Sequence, residues 1–282
     1  MIVFLNGEFV PEKRAVISVF DRSFLYGDGL FESIRVYNGR PFRWQQHLER
    51  LQHGAAFLNI RMPYSPKELS RFCEQLLREN AMREAILRLT LSRGIGVRGY
   101  SAEGADHPSL VMTLHPAPAV DPDRPTRWRL ITASVRVAAG DPLANHKTCN
   151  KLPHILARSE AETQGADEAL MLNTVGEVAE ASGSNLFWLD GNTICTAPLA
   201  SGILAGVTRG LVIELCRTLS VPCLERTITP EALLVTEGVF LTSSALEIVS
   251  VTALDGQAIK LSPVVDKIRA AYREAVQRET AA

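Results

Sequence analysis

Residues 166–188, ADEALMLNTVGEVAEASGSNLFW, place one carboxylate between two strand-like segments. The runs EALMLN and NLFWLD are short, apolar and of strand length. Between them, Glu180 is followed by small residues, and a glutamate in such a position is usually solvated or caps a helix. Strand-like and helical segments alternate along the rest of the chain, which predicts an α/β fold. The role of Glu180 therefore depends on the chemistry of the other segments.

A proline-rich segment divides the chain. The stretch HPAPAVDPDRP contains four prolines and little apolar content. Such proline density continues neither a helix nor a central strand. We therefore predict a smaller N-terminal α/β domain over residues 1–115, a linker over residues 116–126 and a larger C-terminal α/β domain over residues 127–282.

Two Asn-Gly pairs in the first domain indicate β-hairpins. Asn6-Gly7 separates the apolar runs IVFL and EFV, and Asn38-Gly39 separates IRVY and RPF. Both residues of such a pair can take the positive φ values that a type I′ turn requires. We predict a hairpin at each pair, with helices after them.

Two helices are predicted in the same domain. In WQQHLERLQHGAAFL, the apolar residues Leu48, Leu51 and Phe57 recur at roughly helical spacing. A second helix begins at Ser65-Pro66, because serine is a preferred N-cap and proline suits the first helical position. Its apolar stripe consists of Leu69, Phe72, Leu76 and Leu77.

Composition excludes several classes of function. The 282 residues carry a formal net charge of −1, so no basic footprint for nucleic acid is present. No run of about 18 apolar residues predicts a membrane span, and the N-terminal MIVFLNGEFVPEKR is typical of folded structure, not of a signal peptide. The five cysteines are scattered without a C-x-x-C pair, and the six histidines are equally dispersed. We predict no metal site and a reducing, cytoplasmic location.

Two segments carry reactive side chains. HKTCNKL contains Lys147, and a lysine amine in a dry site can form a Schiff base. In GEVAEASGSNLFW, the carboxylate of Glu180 can hold a pyridinium nitrogen protonated through its opposite charge. Each residue taken alone has an ordinary interpretation as a solvated charge.

Two further segments can bind phosphate. SGILAGVTRG is a small-residue turn that enters a helix at about Gly206, where the backbone N–H groups of Val207 and Thr208 face an anion. LTSSALEI adds neutral donors from the hydroxyls of Thr242, Ser243 and Ser244. Amine, carboxylate and phosphate site together match the aldehyde, ring nitrogen and phosphate of pyridoxal 5′-phosphate, which predicts that cofactor.

The residue sequences of these motifs and their order along the chain resemble those of the class IV aminotransferases, the fold-type IV pyridoxal-phosphate enzymes. The resemblance runs from about Phe4 to Ile248, and its most specific parts are YGDGLFESIRVYNGRPFRWQQHLERL, KTCNKL, ADEALMLNTVGEVAEASGSNLFW and GILAGVTR. It implies a two-domain α/β fold with the cofactor between the domains. It also implies a homodimer that acts on small amino and keto acids, with no nucleic acid or membrane partner.

The resemblance implies roles for individual residues. Lys147 takes the position of the lysine that forms the Schiff base and shuttles the proton, and Glu180 that of the carboxylate paired with the pyridine nitrogen. Arg50, in HLERL, matches the arginine that grips the phosphate, an anion that suits its planar fork. Leu204 matches the apolar residue on the pyridine face. The remaining phosphate and substrate-carboxylate contacts correspond to Val207, Thr208, Ser243, Ser244 and Ala245.

The candidate substrate-binding residues resemble those of two different groups within the family. FESIR, which begins at Phe31, and Arg88 in AILRLTL resemble the branched-chain aminotransferases, where an arginine on that strand binds carboxylate. Two tyrosines of that group are replaced here, by Ile86 and by Lys151. Arg98 in SRGIGVRGYS instead resembles the carboxylate-trapping arginine of the D-amino acid aminotransferases.

The same stretch also resembles the 4-amino-4-deoxychorismate lyases, which release pyruvate and 4-aminobenzoate with the same lysine and cofactor. We predict an aminotransferase of branched-chain or D-amino acid type, chiefly because of FESIR and Arg88, with the lyase as the alternative. A cofactor-binding protein without catalysis would need loss of Lys147 or Glu180, and both are present. The stereochemical preference and the native donor and acceptor stay open.

Overall fold

The structure of the protein, a computed structural model, describes residues 1–121 and 123–281. It contains two compact units. The first consists of Met1–Ala117, His146–Asn150 and the described residues from Val276 onward, and the second of the described residues of Pro118–Asn145 together with Lys151–Ala275. The predicted linker spans this first boundary, and its Pro122 lies outside the described residues.

The first unit contains a sheet with helices. Its sheet has six strands in the order β2-β1-β6-β5-β3-β4. In chain order the elements are β1 (Ile2–Leu5), β2 (Glu8–Pro11), α1 (Arg22–Tyr26), β3 (Gly29–Tyr37), β4 (Arg40–Pro41), α2 (Trp44–Phe57), α3 (Pro66–Glu79), β5 (Ala85–Ser92) and β6 (Ser109–Pro116).

Both predicted hairpins are confirmed. Strand β1 pairs antiparallel with β2, and β3 pairs antiparallel with β4. The turn residues Asn6 and Gly7 have φ values of 50° and 101°, and Asn38 and Gly39 have 52° and 78°. These positive values follow from the residue types, because asparagine and glycine tolerate the left-handed region that the turn requires.

The helix starting at Ser65 is also confirmed. The Ser65 hydroxyl accepts a hydrogen bond from the N–H of Glu68, whose carboxylate in turn accepts from the Ser65 N–H, so the two form a capping box. The predicted apolar stripe of α3 is buried against the sheet, where Phe72 stacks on Phe4 with ring centroids 4.4 Å apart.

The prediction for Phe57 on α2 is wrong. Leu48 and Leu51 are buried as expected, but the side chain of Phe57 is exposed. It stacks on the ring of His146, with centroids 4.3 Å apart. At 3.6 residues per turn, Phe57 lies about half a turn around the helix from Leu48, whereas Leu51 and Ala55 continue the buried face.

The segment His146–Asn150 belongs to the first unit although it lies far along the chain. The Phe31 N–H donates to the Lys147 carbonyl at 2.9 Å, and the Cys149 N–H donates to the Gly29 carbonyl at 2.8 Å. These backbone bonds attach the segment to β3. A linear division of the sequence does not anticipate this return of the chain.

The second unit contains a nine-stranded mixed sheet with helices. Its elements are β7 (Arg127–Val137), α4 (Leu152–Thr163), β8 (Glu168–Asn173), β9 (Val178–Ala181), β10 (Asn185–Asp190), β11 (Thr193–Thr196), α5 (Val207–Thr218), β12 (Cys223–Glu225), α6 (Pro230–Leu233), β13 (Val239–Ser243), β14 (Glu247–Leu254), β15 (Gln257–Ala258) and α7 (Pro263–Thr280), whose last turn is assigned to the first unit.

The strand order is β12-β11-β10-β13-β14-β7-β8-β9, and the ninth strand, β15, pairs antiparallel with β14. This order decides which strand ends lie close together in the second unit. Strands β8 and β9 are antiparallel, with Met171 opposite Glu180. Strands β10 and β13 are antiparallel, with Asn185 opposite Thr242. Among the residues that the structure describes, no helix has the length and apolar character needed to span a membrane.

Candidate active site

Lys147 lies beside the start of β3, on the segment that pairs with that strand. An isolated bridge joins Leu30 to Thr148, next to the backbone bond between Phe31 and Lys147. The Lys147 Nζ lies 4.5 Å from the centroid of the Phe31 ring. The aromatic face and the paired backbone therefore hold the amine in a defined position.

Arg88 also contacts the Phe31 ring. Its Cζ lies 4.0 Å from the Phe31 centroid, and Arg88 stands on β5 opposite Ser33 of β3. Burial lowers the pKa of Arg88, and the nearby Cys149 opposes that effect. Arginine keeps its charge under such conditions. The structure thus brings three predicted residues together: an aromatic side chain, an amine and a guanidinium.

Arg50 is held by a carboxylate that the sequence analysis did not single out. Its Nε donates to Glu32 Oε1 at 2.8 Å, and its Nη2 donates to Glu32 Oε2 at 2.6 Å. The Nδ1 of His47 lies 2.7 Å from the same Oε2. His47 and Arg50 are three residues apart on α2, so both side chains point to the same side of the helix.

The charge states in this group follow from burial and pairing. Burial alone raises the pKa of Glu32, but the Arg50 charge and the bonds from Arg50 and His47 outweigh it and lower that pKa to about 2. Burial lowers the pKa of His47 despite the neighbouring carboxylate. Glu32 is therefore ionised and His47 neutral near pH 7. Since a carboxylate only accepts, the proton of His47 lies on Nδ1.

The pattern of residues along β3 indicates that Glu32 has a specific buried partner. In β3 the side chains of Leu30, Ile34 and Val36 belong to the apolar core, and Glu32 occupies the same face of the strand. A charge in an apolar row with a period of two is costly and points to a specific partner.

Arg98 lies in a different environment from Arg88. It is exposed on the loop between β5 and β6. The loop is anchored by Arg22, whose guanidinium donates to the carbonyls of Gly99 at 3.0 Å and Ser101 at 2.9 Å. Arg22 also pairs with Asp28 at 2.8 Å. The backbone beside Arg98 is therefore fixed, while its own side chain faces outward.

Glu180 is buried on β9 in the second unit and accepts two hydrogen bonds. The side-chain amide of Asn185 and the backbone N–H of Leu204 each donate to Glu180 Oε2 at 3.0 Å. The other oxygen, Oε1, lies 3.4 Å from His154 Nε2. Glu180 and Leu204, two predicted cofactor residues, are thus brought into direct contact.

Asn185 joins the predicted residues of this unit and was missed in the sequence. Its amide nitrogen also donates to the Leu204 carbonyl at 2.9 Å. A Cβ added to Gly206 would lie 2.0 Å from Asn185 Oδ1. Gly206 is the N-cap of α5 and has no side chain that could accept a hydrogen bond from the first-turn N–H groups of Val207 and Thr208.

The predicted hydroxyl cluster lies where β13 ends. Ser243 accepts a hydrogen bond from the N–H of Leu246 at 3.2 Å, and Ser244 and Ala245 form the half-buried turn between them. The Thr242 hydroxyl is buried without a hydrogen-bond partner among the described residues. Lys151, in contrast, lies at the N-cap of α4, and its carbonyl accepts from the N–H of Ile155.

Comparison with protein families and relatives agrees with these features. A model of the amino-transferase class IV family matches residues 29–254. A Methanocaldococcus jannaschii protein with a provisional branched-chain-amino-acid aminotransferase name is 34% identical, over 97% of this chain and 96% of the relative. The Bacillus subtilis aminodeoxychorismate lyase is 32% identical, over 90% and 87%. The Bacillus licheniformis D-alanine aminotransferase is 30% identical, over 100% and 99%.

Solved structures show the same fold. The branched-chain aminotransferase of Thermoproteus uzoniensis with norvaline matches with a TM-score of 0.92 and 31% identity, covering 99% of this chain and 96% of that one. The T.th. branched-chain amino acid aminotransferase with pyridoxamine 5′-phosphate matches with a TM-score of 0.90 and 30% identity, covering 98% and 93%. The predicted α/β fold is confirmed. The chain belongs to the class IV aminotransferase family.

Proposed function

We propose that the protein is a pyridoxal 5′-phosphate-dependent aminotransferase that transfers an amino group between an amino acid and a 2-oxo acid. One observation carries the proposal: the Lys147 amine and the Arg88 guanidinium both lie on the Phe31 ring, at 4.5 Å and 4.0 Å from its centroid. A nucleophilic amine beside a carboxylate-binding cation suits an α-amino acid, which presents both a reactive carbon and a carboxylate.

The residues of the second unit fit the cofactor. Glu180 has two donors on Oε2, and Oε1 meets a ring nitrogen of His154 at the long distance of 3.4 Å, so the carboxylate retains capacity to accept. The uncapped first turn of α5 suits a phosphate. The buried hydroxyl of Thr242, which has no hydrogen-bond partner within the described part of the chain, marks a polar group next to the Ser243 turn. Carboxylate, helix start and hydroxyls match the ring nitrogen and phosphate of pyridoxal 5′-phosphate.

Each residue then has one task in the proposed reaction. Pyridoxal phosphate, when bound, supplies an electron sink for bond cleavage at the substrate Cα. Lys147 moves the proton at that carbon through Nζ. Glu180 holds a proton at the ring nitrogen through its opposite charge. Arg50 binds the phosphate, together with the cradle formed by Val207, Thr208, Ser243 and Ser244, and Leu204 packs on the ring face.

The substrate carboxylate is proposed to bind Arg88. Its half-buried guanidinium lies on the Phe31 ring that also contacts the Lys147 amine, whereas Arg98 is exposed on the loop after β5. This difference favours a branched-chain type of substrate over the D-amino acid type, in which Arg98 would bind the carboxylate. In both types, backbone N–H groups of the turn at Ala245 would complete the carboxylate contacts. Relatives named for each of these two substrate types are similar to this chain, so the two types have to be compared by experiment.

A lyase is the second candidate. The Bacillus subtilis aminodeoxychorismate lyase is 32% identical to this chain. In that reaction, Lys147 would remove the proton from the ring carbon that bears the amino group. The ether C–O bond to the enolpyruvyl group would then break, which leaves 4-aminobenzoate as the aromatic product and releases pyruvate. The same amine, carboxylate and phosphate site would serve both reactions, so the products must distinguish them.

A half-reaction screen tests the proposal. The enzyme loaded with cofactor is mixed separately with L-leucine, D-alanine, R-1-phenylethylamine and aminodeoxychorismate, and the visible absorbance of the lysine-bound cofactor is followed. We expect L-leucine to remove this band and yield its 2-oxo acid. Pyruvate from aminodeoxychorismate with the band restored would instead establish the lyase. No response to any of the four, with the band present, contradicts the proposed function.

A matched pair of variants tests the role of Arg88. We expect Arg88→Met to raise KM for the amino acid by at least about tenfold, since it removes a charge-assisted contact. Arg83→Met, on an exposed arginine shortly before β5, serves as the control and should leave KM unchanged. Equal KM values for the two variants would refute the Arg88 assignment.

We also propose that the protein is a homodimer in the cytoplasm. Six exposed apolar residues precede or lie on α1: Val16, Ile17, Val19, Phe20, Phe24 and Leu25. The exposed ring of Tyr100 lies 5.9 Å from that of Tyr26 and extends this surface. Exposed apolar side chains in this number suit burial against a second copy. The five free thiols suit a reducing compartment. Sedimentation equilibrium should give twice the chain mass, and Phe24→Asp should reduce it.

A further inference from the structure

We propose that Glu32, supported by His47, is a positioning residue that orients the Arg50 guanidinium for binding the cofactor phosphate. This inference rests on the proposed function, because Arg50 binds the phosphate only in that assignment. It goes further by naming residues that act on the phosphate through Arg50 and do not touch the ligand themselves.

The pairing geometry supports this role. Arg50 presents its Nε and Nη2 edge to the two oxygens of Glu32, at 2.8 Å and 2.6 Å. Two parallel bonds to one carboxylate fix both the position and the plane of a guanidinium. Because the guanidinium plane is fixed, its adjacent edge, formed by Nη1 and Nη2, points in one fixed direction. Phosphate recognition by arginine uses such an edge, and it is stronger when the side chain is already oriented.

His47 completes the support of Glu32. Its ring lies 2.7 Å from Glu32 Oε2, and both side chains are almost completely buried. Because His47 donates from Nδ1, the carboxylate receives three bonds and cannot rotate without breaking at least one of them. The Lys147 charge also acts on His47 and lowers its pKa, after burial and the Arg50 charge. The supporting group therefore lies close to the Schiff-base lysine.

Stability alone does not explain this arrangement. Leu30, Ile34 and Val36 fill the same face of β3 with apolar side chains, and an apolar residue at position 32 would continue the core. A buried ion pair is often no more stabilising than well-packed apolar residues of similar volume. An ionised carboxylate in this row is better explained by its effect on Arg50.

The experiment compares two ligands that differ in the phosphate. The full chain, stripped of cofactor, is equilibrated by dialysis with pyridoxal 5′-phosphate or with pyridoxal, and both Kd values are measured. The ratio Kd(pyridoxal)/Kd(pyridoxal phosphate) reports phosphate recognition without any turnover. We expect Glu32→Gln to lower this ratio roughly tenfold, or about 1.4 kcal/mol, with the pyridoxal Kd unchanged.

Three further variants separate positioning from folding. Glu32→Asp keeps the charge and should recover part of the ratio. Arg50→Lys should lower the ratio by itself, and the Glu32→Gln/Arg50→Lys double variant should lower it no further, because both changes remove one function. Glu84→Gln is the matched control, because Glu84 pairs with Arg35 at 3.5 Å in the same unit but is half exposed. It should behave as the parent does.

The outcomes distinguish this inference from the proposed function. A parent protein that does not prefer pyridoxal phosphate over pyridoxal contradicts both. A parent that prefers it, with a loss in Arg50→Lys but none in Glu32→Gln, overturns the positioning role alone. An equal loss of affinity for both ligands in Glu32→Gln also overturns it, since that is the effect of a structural residue. If Glu32→Gln does not fold, an unchanged ratio in Glu32→Asp with a reduced ratio in Arg50→Lys has the same meaning.

Discussion

The substitution Glu32→Gln keeps the shape of a buried side chain, removes its charge and replaces one accepting oxygen by a donor. The pH dependence of its effect therefore reports what ionisation contributes to the stability of the first unit. The Glu32 side chain is 1% exposed, and its carboxylate is bound by Arg50 and His47. Burial raises the pKa of the carboxyl, but the two partners more than compensate and lower it from 4.5 to about 2.

The sign of the pH dependence follows from the lowered pKa. The folded state holds the carboxyl proton less tightly than the unfolded state does, so the stabilisation is complete above a pH of about 4.5 and is lost as the pH falls toward about 2. The full difference corresponds to about 3 kcal/mol, of which about 2 kcal/mol is lost between about pH 6 and about pH 3.

His47 also titrates in this range, and removal of the Glu32 charge lowers the pKa of His47 further. The histidine therefore takes up its proton on unfolding in both proteins, and slightly more strongly in the variant. The difference of about 2 kcal/mol between parent and Glu32→Gln is for this reason an upper figure.

Hydrogen exchange of the β3 amides during urea titration gives the free energy of unfolding at each pH. We expect the stability advantage of the parent over Glu32→Gln to shrink by about 2 kcal/mol between about pH 6 and about pH 3. The control variant Glu84→Gln, at a carboxylate 52% exposed, should keep a nearly constant difference from the parent. A Glu32→Gln difference that does not change with pH would refute the reasoning that Glu32 is ionised and paired.

Three other predictions concern the remaining parts of the site. Gly206→Ala should lower cofactor affinity, because its Cβ would lie 2.0 Å from a neighbouring side-chain oxygen, whereas Gly210→Ala has open space and should bind as the parent does; equilibrium dialysis measures both. Glu180→Gln should leave cofactor binding largely intact but slow the half-reaction, which stopped-flow absorbance follows; equal rates would contradict its role. Arg22→Met should speed hydrogen exchange in residues 99–101 by releasing their carbonyls, and unchanged exchange would show that other contacts anchor the loop.

Local features of the fold could be predicted because they depend on neighbours in the chain. Asn38 and Gly39 take positive φ values in the turn between β3 and β4, as their residue types allow. Ser65 caps α3 through a residue three positions away. Such features need no knowledge of the sheet. The approximate helical spacing failed at Phe57, because this side chain lies about half a turn around α2 from Leu48 and is not on the buried face.

The chemistry of the site was predicted in a different way, from the residue types and residue order within short motifs. Lys147, Glu180 and the turn before Val207 stand in segments whose composition differs from ordinary core or surface. Their residue types indicated an amine, a carboxylate and a phosphate cradle. The motifs did not reveal the residues that orient these groups, such as Glu32 and Asn185.

The sequence by itself determined the turns, the helix starts and the family, since each depends on residue type at short spacing. Tertiary structure decided which groups meet. Glu32 and Arg50 are 18 positions apart, and Glu180 and Leu204 are 24 apart. The Lys147 segment returns to β3 across more than a hundred residues. Contacts over such separations follow from strand order and register, which no short stretch of sequence encodes.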